Sequence, residues 1–263
     1  MPAKGVQWSA SVPPPDGGVP IPDPRAGRTR HAILVGDGDV PEGMALDAAW
    51  PGWATDADLV VAADGGARKA GRAGLVSQLV VGDGDSLGEA GIAEVRAAGI
   101  PLEPAAIAKD ESDLELAILA AAARGASRIT ILGALGGTRF DHALANVWLL
   151  AHPILEGRPT VIIDSRTRVR LLTAPTTGDA AAAMPAEAVL VGLPGDLVSL
   201  FPFGTGALGV TTAGLAYPLR DEPLRAGPAR GLSNVRTSPE ARVSLRSGRL
   251  LIVETHDPKG VPR

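Results

Sequence analysis

From His31 onward the chain alternates short apolar runs with longer mixed stretches. Residues 32–35, 59–63, 79–82 and 128–133 are short, apolar and rich in Val, Ile and Leu, so each reads as a buried strand. Between them, residues 88–98 and 114–124 are Ala-rich and of helical length. This rhythm predicts a parallel sheet with crossover helices. The second helix is the better marked of the two. Ser112 and Glu115 fit a capping box, and Leu114, Ala117, Ile118 and Ala121 form its apolar stripe.

After about residue 155 the pattern changes. Residues 160–163, 169–172, 188–193, 197–203, 210–212, 242–245 and 250–254 are strand-like, with turn signals between them and no amphipathic stretch of helical length. Ser247-Gly248 reads as a hairpin turn between the last two. The expected architecture is an α/β N-terminal domain, Rossmann-like with a mostly parallel sheet, over 30–155. An all-β C-terminal domain, a β-sandwich, follows over 156–263. Residues 1–29, with Pro13, Pro14, Pro15, Pro20, Pro22 and Pro24, are expected to form a disordered tail.

Composition narrows the function. Apolar residues make up 45 % of the 263 but aromatics only 3 %, so the core must be aliphatic. A net charge of −4 without a Lys/Arg run argues against nucleic acid as a partner. No apolar stretch is long enough to span a bilayer, and the start lacks a signal-peptide core, so a cytoplasmic protein is expected. With no cysteine, disulfides, thiolate catalysis and Cys-ligated zinc are excluded.

The acids change the picture most. The strand-like run 79–82 ends in Asp83 and Asp85, separated by Gly84. Alternate strand residues share a face about 7 Å apart, and a glycine turn can bring such a pair onto one hard cation. Asp64 follows another strand-like run, and Asp110 and Asp113 lie one turn apart at a helix start. Acids at the carboxyl ends of α/β strands share the cleft where ligands bind. Gly65 and Gly66 would let backbone approach a phosphate. Farther on, Gly136-Gly-Thr-Arg-Phe-Asp-His142 joins a strand-like run to an apolar helix. Glycines and Arg139 at a helix start suit polyphosphate, although Asp141 as a helix cap and His142 as a packing residue would account for the same pattern.

Asp64-Gly-Gly66, Gly82-Asp-Gly-Asp-Ser86, Lys109-Asp-Glu-Ser-Asp113 and Gly136-Gly-Thr-Arg-Phe-Asp-His142 together resemble the motifs of thiamine pyrophosphokinases, in order and approximate spacing. Val198-Ser-Leu-Phe-Pro202, the segment 209–219 and Gly231-Leu-Ser-Asn234 are similar to that family's β-domain. The resemblance spans about residues 31–255. It departs at Gly84, where the family has a bulky residue, at Ser112, where threonine is frequent, and at Thr138, which lengthens the loop before Arg139.

The resemblance implies transfer of pyrophosphate from Mg-ATP to thiamine, giving thiamine diphosphate and AMP, in a homodimer with interfacial active sites. It implies Mg²⁺ on Asp64, Asp83, Asp85 and Asp110, with Lys109, Arg139 and His142 beside Gly65 and Gly66 on the polyphosphate. Asp113 and Asp141 would position the hydroxyl or the aminopyrimidine. Tyr217, Ser233 and Asn234 would contact thiamine, with Tyr217 reaching across from the partner subunit.

Rival readings stay open at this level. A related pyrophosphokinase could take a pterin or another heterocyclic alcohol. A nucleotide-binding protein with a decayed site is a weaker option, because all the carboxylates are present. Gly84-Asp-Ser86-Leu-Gly88 fits the nucleophile elbow of a serine hydrolase, with Ser86 as nucleophile, but leaves Asp64, Asp110 and Asp113 without a role. Gly204-Thr-Gly206-Ala-Leu-Gly209 matches a dinucleotide fingerprint but leads into more strand, so it is expected to be a loop between strands.

Overall fold

The computed structural model describes residues 30–104, 110–174 and 185–256. The expected tail over 1–29 and Lys109 lie outside the described residues. The first half alternates strand and helix: β1 (Arg30–Val35), α1 (Gly43–Ala49), β2 (Ala57–Ala63), α2 (Gly66–Lys69), β3 (Leu79–Gly82), α3 (Gly88–Ala97), β4 (Leu102–Pro104), α4 (Asp113–Ala123), β5 (Ala126–Leu132) and α5 (Phe140–Trp148). Strands follow: β6 (Thr160–Ile163), β7 (Thr167–Thr173), β8 (Ala186–Val191), β9 (Leu197–Ala213), β10 (Glu222–Leu224), β11 (Asn234–Val235), β12 (Glu240–Leu245) and β13 (Ser247–Thr255).

Hydrogen bonding links the strands in the order β4-β3-β2-β1-β5-β6-β7-β13-β9-β12-β8, with β10 and β11 also on β9. Every pair from β4 to β6 is parallel, and from the β6–β7 pair onward all are antiparallel. Alternation along β2 shows how the parallel part is covered. Leu59, Val61 and Ala63 face the cluster built on α4, whereas Val60 faces that of α1 and Ala62 that of α3. The expected stripe of α4 is buried throughout, and Ala117 and Ala121, with no exposure at all, let the helix lie close on the sheet. Ser112 Oγ accepts from Glu115 N–H at 3.2 Å. The return half of the capping box is replaced, because the Glu115 carboxylate instead lies 3.4 Å from His152.

Two local expectations are corrected in the antiparallel half. Residues 204–209 are not a loop: β9 runs through them, and the register against β13 jumps from Gly248↔Ala207 to Arg249↔Phe203. Gly204 and Gly206, both with positive φ, absorb the extra residues as a bulge. Nor do Ser247 and Gly248 make a hairpin. They begin β13, while β12 pairs with β8 and β9. The chain turns a corner at Arg246, whose N–H donates to Leu208 O at 3.0 Å, and continues along β9. Because β9 belongs to both antiparallel layers, Leu190, Val198, Val210, Val243 and Ile252 enclose one aliphatic core between them.

Candidate active site

Three carboxylates meet where β2, β3 and α4 come together. Asp64 follows β2, Asp83 follows β3 and Asp113 opens α4. One oxygen from each lies within 4.8 Å of the other two. Gly82 makes this approach possible. Its φ is +142°, and a Cβ there would stand 2.9 Å from Asp64 Cβ and 3.2 Å from Asp113 Oδ1.

Asp64 organises the loop around it. It is buried, with a φ of +43°. Its Oδ2 accepts from Ser86 N–H at 2.9 Å and its Oδ1 from Leu87 N–H at 3.2 Å, folding residues 83–87 about the carboxylate. Arg68 on α2 braces the same turn by donating to the Leu87 carbonyl. Burial raises the Asp64 pKa, the two backbone donors oppose that shift, and the charges of Asp113 and Asp83 add to it. An all-oxygen donor set in which like charges hold up a buried carboxyl fits a hard divalent cation.

Of the acids expected on the metal, Asp85 and Asp110 are exposed and outside this cluster, whereas Asp113, expected at the hydroxyl, is within it. Asp85 donates its N–H to Asp83 Oδ1 at 3.1 Å. Gly84 has a φ of +84°, and a Cβ there would sit 2.8 Å from Ile92 Cδ1, so this turn favours glycine. Among the described residues no histidine hydrogen-bonds to Ser86, whose backbone serves Asp64.

A second loop adjoins the first. The segment after β1 is laced to that after β5 by Gly36 N–H to Leu132 O and Gly38 N–H to Gly133 O, both 2.8 Å, and by Gly137 N–H to Asp39 Oδ2 at 3.0 Å. Lys69 Nζ lies 2.8 Å from Asp37 Oδ1 and also donates to the Asp37 and Gly38 carbonyls. The space beside Gly65 is filled by the Asp37 carboxylate, and that beside Gly66 by the Val35 carbonyl. Strand order reverses between β1 and β5, and a cavity of about 670 Å³ opens there, lined by Asp39, Arg72, Gly136, Asp164 and Arg166 among others.

Sequence reasoning missed Asp37 and Asp39, although Val35-Gly-Asp-Gly-Asp39 repeats Val81-Gly-Asp-Gly-Asp85 letter for letter. Lys69, Arg72 and Arg166 lie in no motif of comparable signal.

Arg139 and Asp141 pair with each other in the open, Nε to Oδ1 at 2.9 Å and Nη2 to Oδ2 at 2.6 Å. The guanidinium pulls the Asp141 carboxyl down to about 2. Asp141 does not cap α5, whose N-cap is Arg139, and His142 is exposed on that helix rather than packed. In the antiparallel half Tyr217 presents an exposed ring, Ser233 holds a φ of +55°, and the Asn234 side chain is bonded to the Tyr217 main chain.

Solved structures share this architecture. A thiamin pyrophosphokinase family protein from Enterococcus faecalis matches with a TM-score of 0.69 at 25 % identity, covering 86 % of this chain and 99 % of its own. Thiamine pyrophosphokinase from Bacillus subtilis matches with 0.68 at 23 % identity, over 87 % and 99 %. The yeast enzyme matches with 0.64 at 16 % identity, over 86 % of each chain. The last two are informative about the fold alone. Fold and family together define an enzyme of the diphosphotransferase class.

Two family models then align along the sequence. Thiamin pyrophosphokinase, catalytic domain, matches residues 52–162, and thiamin pyrophosphokinase, vitamin B1 binding domain, matches residues 189–250. The curated Bacillus subtilis (strain 168) thiamine pyrophosphokinase is 25 % identical over 195 residues, 70 % of this chain and 81 % of that protein. The chain belongs to the thiamine pyrophosphokinase family.

Proposed function

We propose that the protein transfers the pyrophosphoryl group of ATP to the hydroxyl of thiamine, yielding thiamine diphosphate and AMP. The observation that carries this reading is the convergence of Asp64, Asp83 and Asp113, in a chain that matches both the catalytic and the vitamin B1 binding model of the family. The hydroxyl oxygen forms a bond to the β-phosphorus and gives up its proton. The bond from that phosphorus to the α–β bridging oxygen breaks, and AMP departs with the oxygen. Such a transfer rests on positioning and electrostatics.

Magnesium held by Asp64, Asp83 and Asp113, with Asp85 and Asp110 close by in the chain, would supply positive charge to the polyphosphate oxygens. The protein's own contribution is preorganisation. Asp64 fixes the turn 83–87 through its two backbone bonds. The cavity between β1 and β5 lies where doubly wound sheets take nucleotides, and Arg72 and Arg166 on its wall suit ATP. Arg139 can exchange its exposed Asp141 partner for a phosphate oxygen, with His142 exposed on the same helix; Lys109 keeps the polyphosphate role that the resemblance implies. The catalytic role falls to residues 30–155 and thiamine binding to 156–263.

A homodimer completes this reading. No residue of α5 is buried, and its Phe140, Leu144 and Trp148 are exposed. A partner covering that face would bring a second β half, with its Tyr217, Ser233 and Asn234, towards the first protomer. The test is direct. Incubation of the full chain with Mg-ATP and thiamine should release AMP and thiamine diphosphate in equal amounts. ADP and a thiamine monophosphate would overturn the assignment.

A further inference from the structure

The sheet face beneath Trp50 breaks its own pattern. Ile33, Val35, Leu132, Val161 and Ile163 on this face are apolar and pack against α1 and its neighbours. In register with them stand His31 on β1, Arg128 and Thr130 on β5, and Arg168 and Arg170 on β7. These polar side chains line a cavity of about 210 Å³, over which the indoles of Trp50 and Trp53 form a wall. His31, Arg128 and Pro159 belong to the starts of β1, β5 and β6, the opposite end of the parallel strands from Asp64 and Asp83.

Its charge is lopsided. Glu254, fully buried, accepts from Arg168 Nε at 2.8 Å and Nη2 at 2.7 Å, from Arg170 Nη2 at 2.9 Å and from Arg236 Nη2 at 2.9 Å. One carboxylate therefore serves three guanidiniums. Asp196 offsets Arg236 but also bonds His256 at 2.9 Å, and Asp58 lies 3.5 Å from Arg30. Among the described residues Arg128 hydrogen-bonds to the Thr55 carbonyl and to His31. The Nε atoms of Arg128 and Arg170 are buried and make no hydrogen bond. Burial, with the charges of Arg168 and Arg236, depresses the Arg170 pKa despite Glu254. Arg168 lies over the Trp50 ring at 4.6 Å, which holds the cationic wall in place.

We propose that this cavity is a second ligand site, separate from the transfer cleft, which takes an oxyanion of the phosphate class. Guanidiniums with spare N–H donors match phosphate oxygens in charge and geometry. An anion in the cavity would meet the guanidiniums of Arg128, Arg168 and Arg170 that line it and offset the excess positive charge around Glu254.

The probe is inorganic phosphate, titrated into the full ¹⁵N-labelled chain while the indole N–H signals are followed. Trp50 and Trp53 signals are expected to shift saturably, those of Trp8 and Trp148 not. Arg128→Gln and Arg170→Gln should each weaken the apparent Kd by about tenfold or more, the effect of losing a charge-assisted hydrogen bond. Asp83→Asn should leave it unchanged. If either glutamine variant fails to fold, Arg128→Lys, which keeps the charge but loses the fork, is expected to weaken binding too. Two results overturn the proposal: no shift of Trp50 and Trp53 at millimolar phosphate, or a response lost in Asp83→Asn and kept in the arginine variants.

Discussion

Asn234 clasps the main chain of Tyr217 from both sides. Its Oδ1 accepts from Tyr217 N–H at 2.9 Å and its Nδ2 donates to Tyr217 O at 2.6 Å. The amide is buried while the phenol ring it steadies is 63 % exposed. A large aromatic displayed on a fixed backbone is suited to stacking against a flat ring.

Tyr217→Ala is therefore expected to raise the KM for thiamine by about tenfold, on the order of one stacking contact, and to leave the KM for ATP unchanged. Asn234→Ala should do the same and also lower stability by about 1–3 kcal/mol, because a buried main-chain pair loses its partners. Steady-state kinetics with each substrate varied, together with denaturant melts, separate the two effects.

Asp83→Asn and Asp113→Asn are expected to cut kcat by about a hundredfold or more with the fold intact, since each removes a carboxylate that would hold the cation against the polyphosphate. Ser86→Ala should keep most of its turnover, because the part of Ser86 bonded to Asp64 is its backbone N–H. Complete loss in the alanine variant alone would revive the serine-hydrolase reading.

The raised pKa of Asp64 carries a sign that can be checked. A carboxyl whose folded value exceeds its unfolded one contributes stability below the unfolded value and loses it as pH rises through the folded value. Above its folded pKa the metal-free wild type thus bears the cost of an ionised, buried Asp64. The melting temperature of Asp64→Asn minus that of wild type, measured in chelator, should shrink as pH falls from neutrality through the folded pKa. Widening on acidification would mean that the Ser86 and Leu87 bonds to the carboxylate dominate instead.

Gly82→Ala should destabilise the protein by about 1–3 kcal/mol and abolish most activity. The added methyl needs the room occupied by Asp64 Cβ, at a φ of +142° that side chains avoid. Urea melts and turnover should fall together.

Leu144→Asp is expected to convert a dimer to a monomer and to lower turnover with it, if the bare apolar side of α5 is where protomers meet. Light scattering behind a sizing column reads the first, the AMP assay the second. An unchanged mass would remove α5 from the interface.

Much of this architecture was written in periodicity. The stripe of α4 and the runs that became β1, β2, β3 and β5 are buried as their spacing requires. What escaped is instructive in physical terms. β4 is three residues long, too short to show a period. Ser247-Gly248 has hairpin composition, yet β12 and β13 both pair with β9 rather than with each other, a choice made by tertiary pairing. In the site, Asp64 and Asp83 were legible as acids at strand ends. Asp113 joined them because Gly82 leaves space, a property of distance between elements that spacing along the chain does not encode.

The β6–β7 pair has a mechanical corollary. Val161↔Arg170, Ile162↔Val169 and Ile163↔Arg168 stitch the parallel strands to the antiparallel ones, so the joint is ladder rather than tether. A cut before residue 160 would strip β5 of its neighbour and leave β6 with a raw edge. Expressed apart, the fragments should aggregate or stay unfolded, and co-expression should be needed to restore either one.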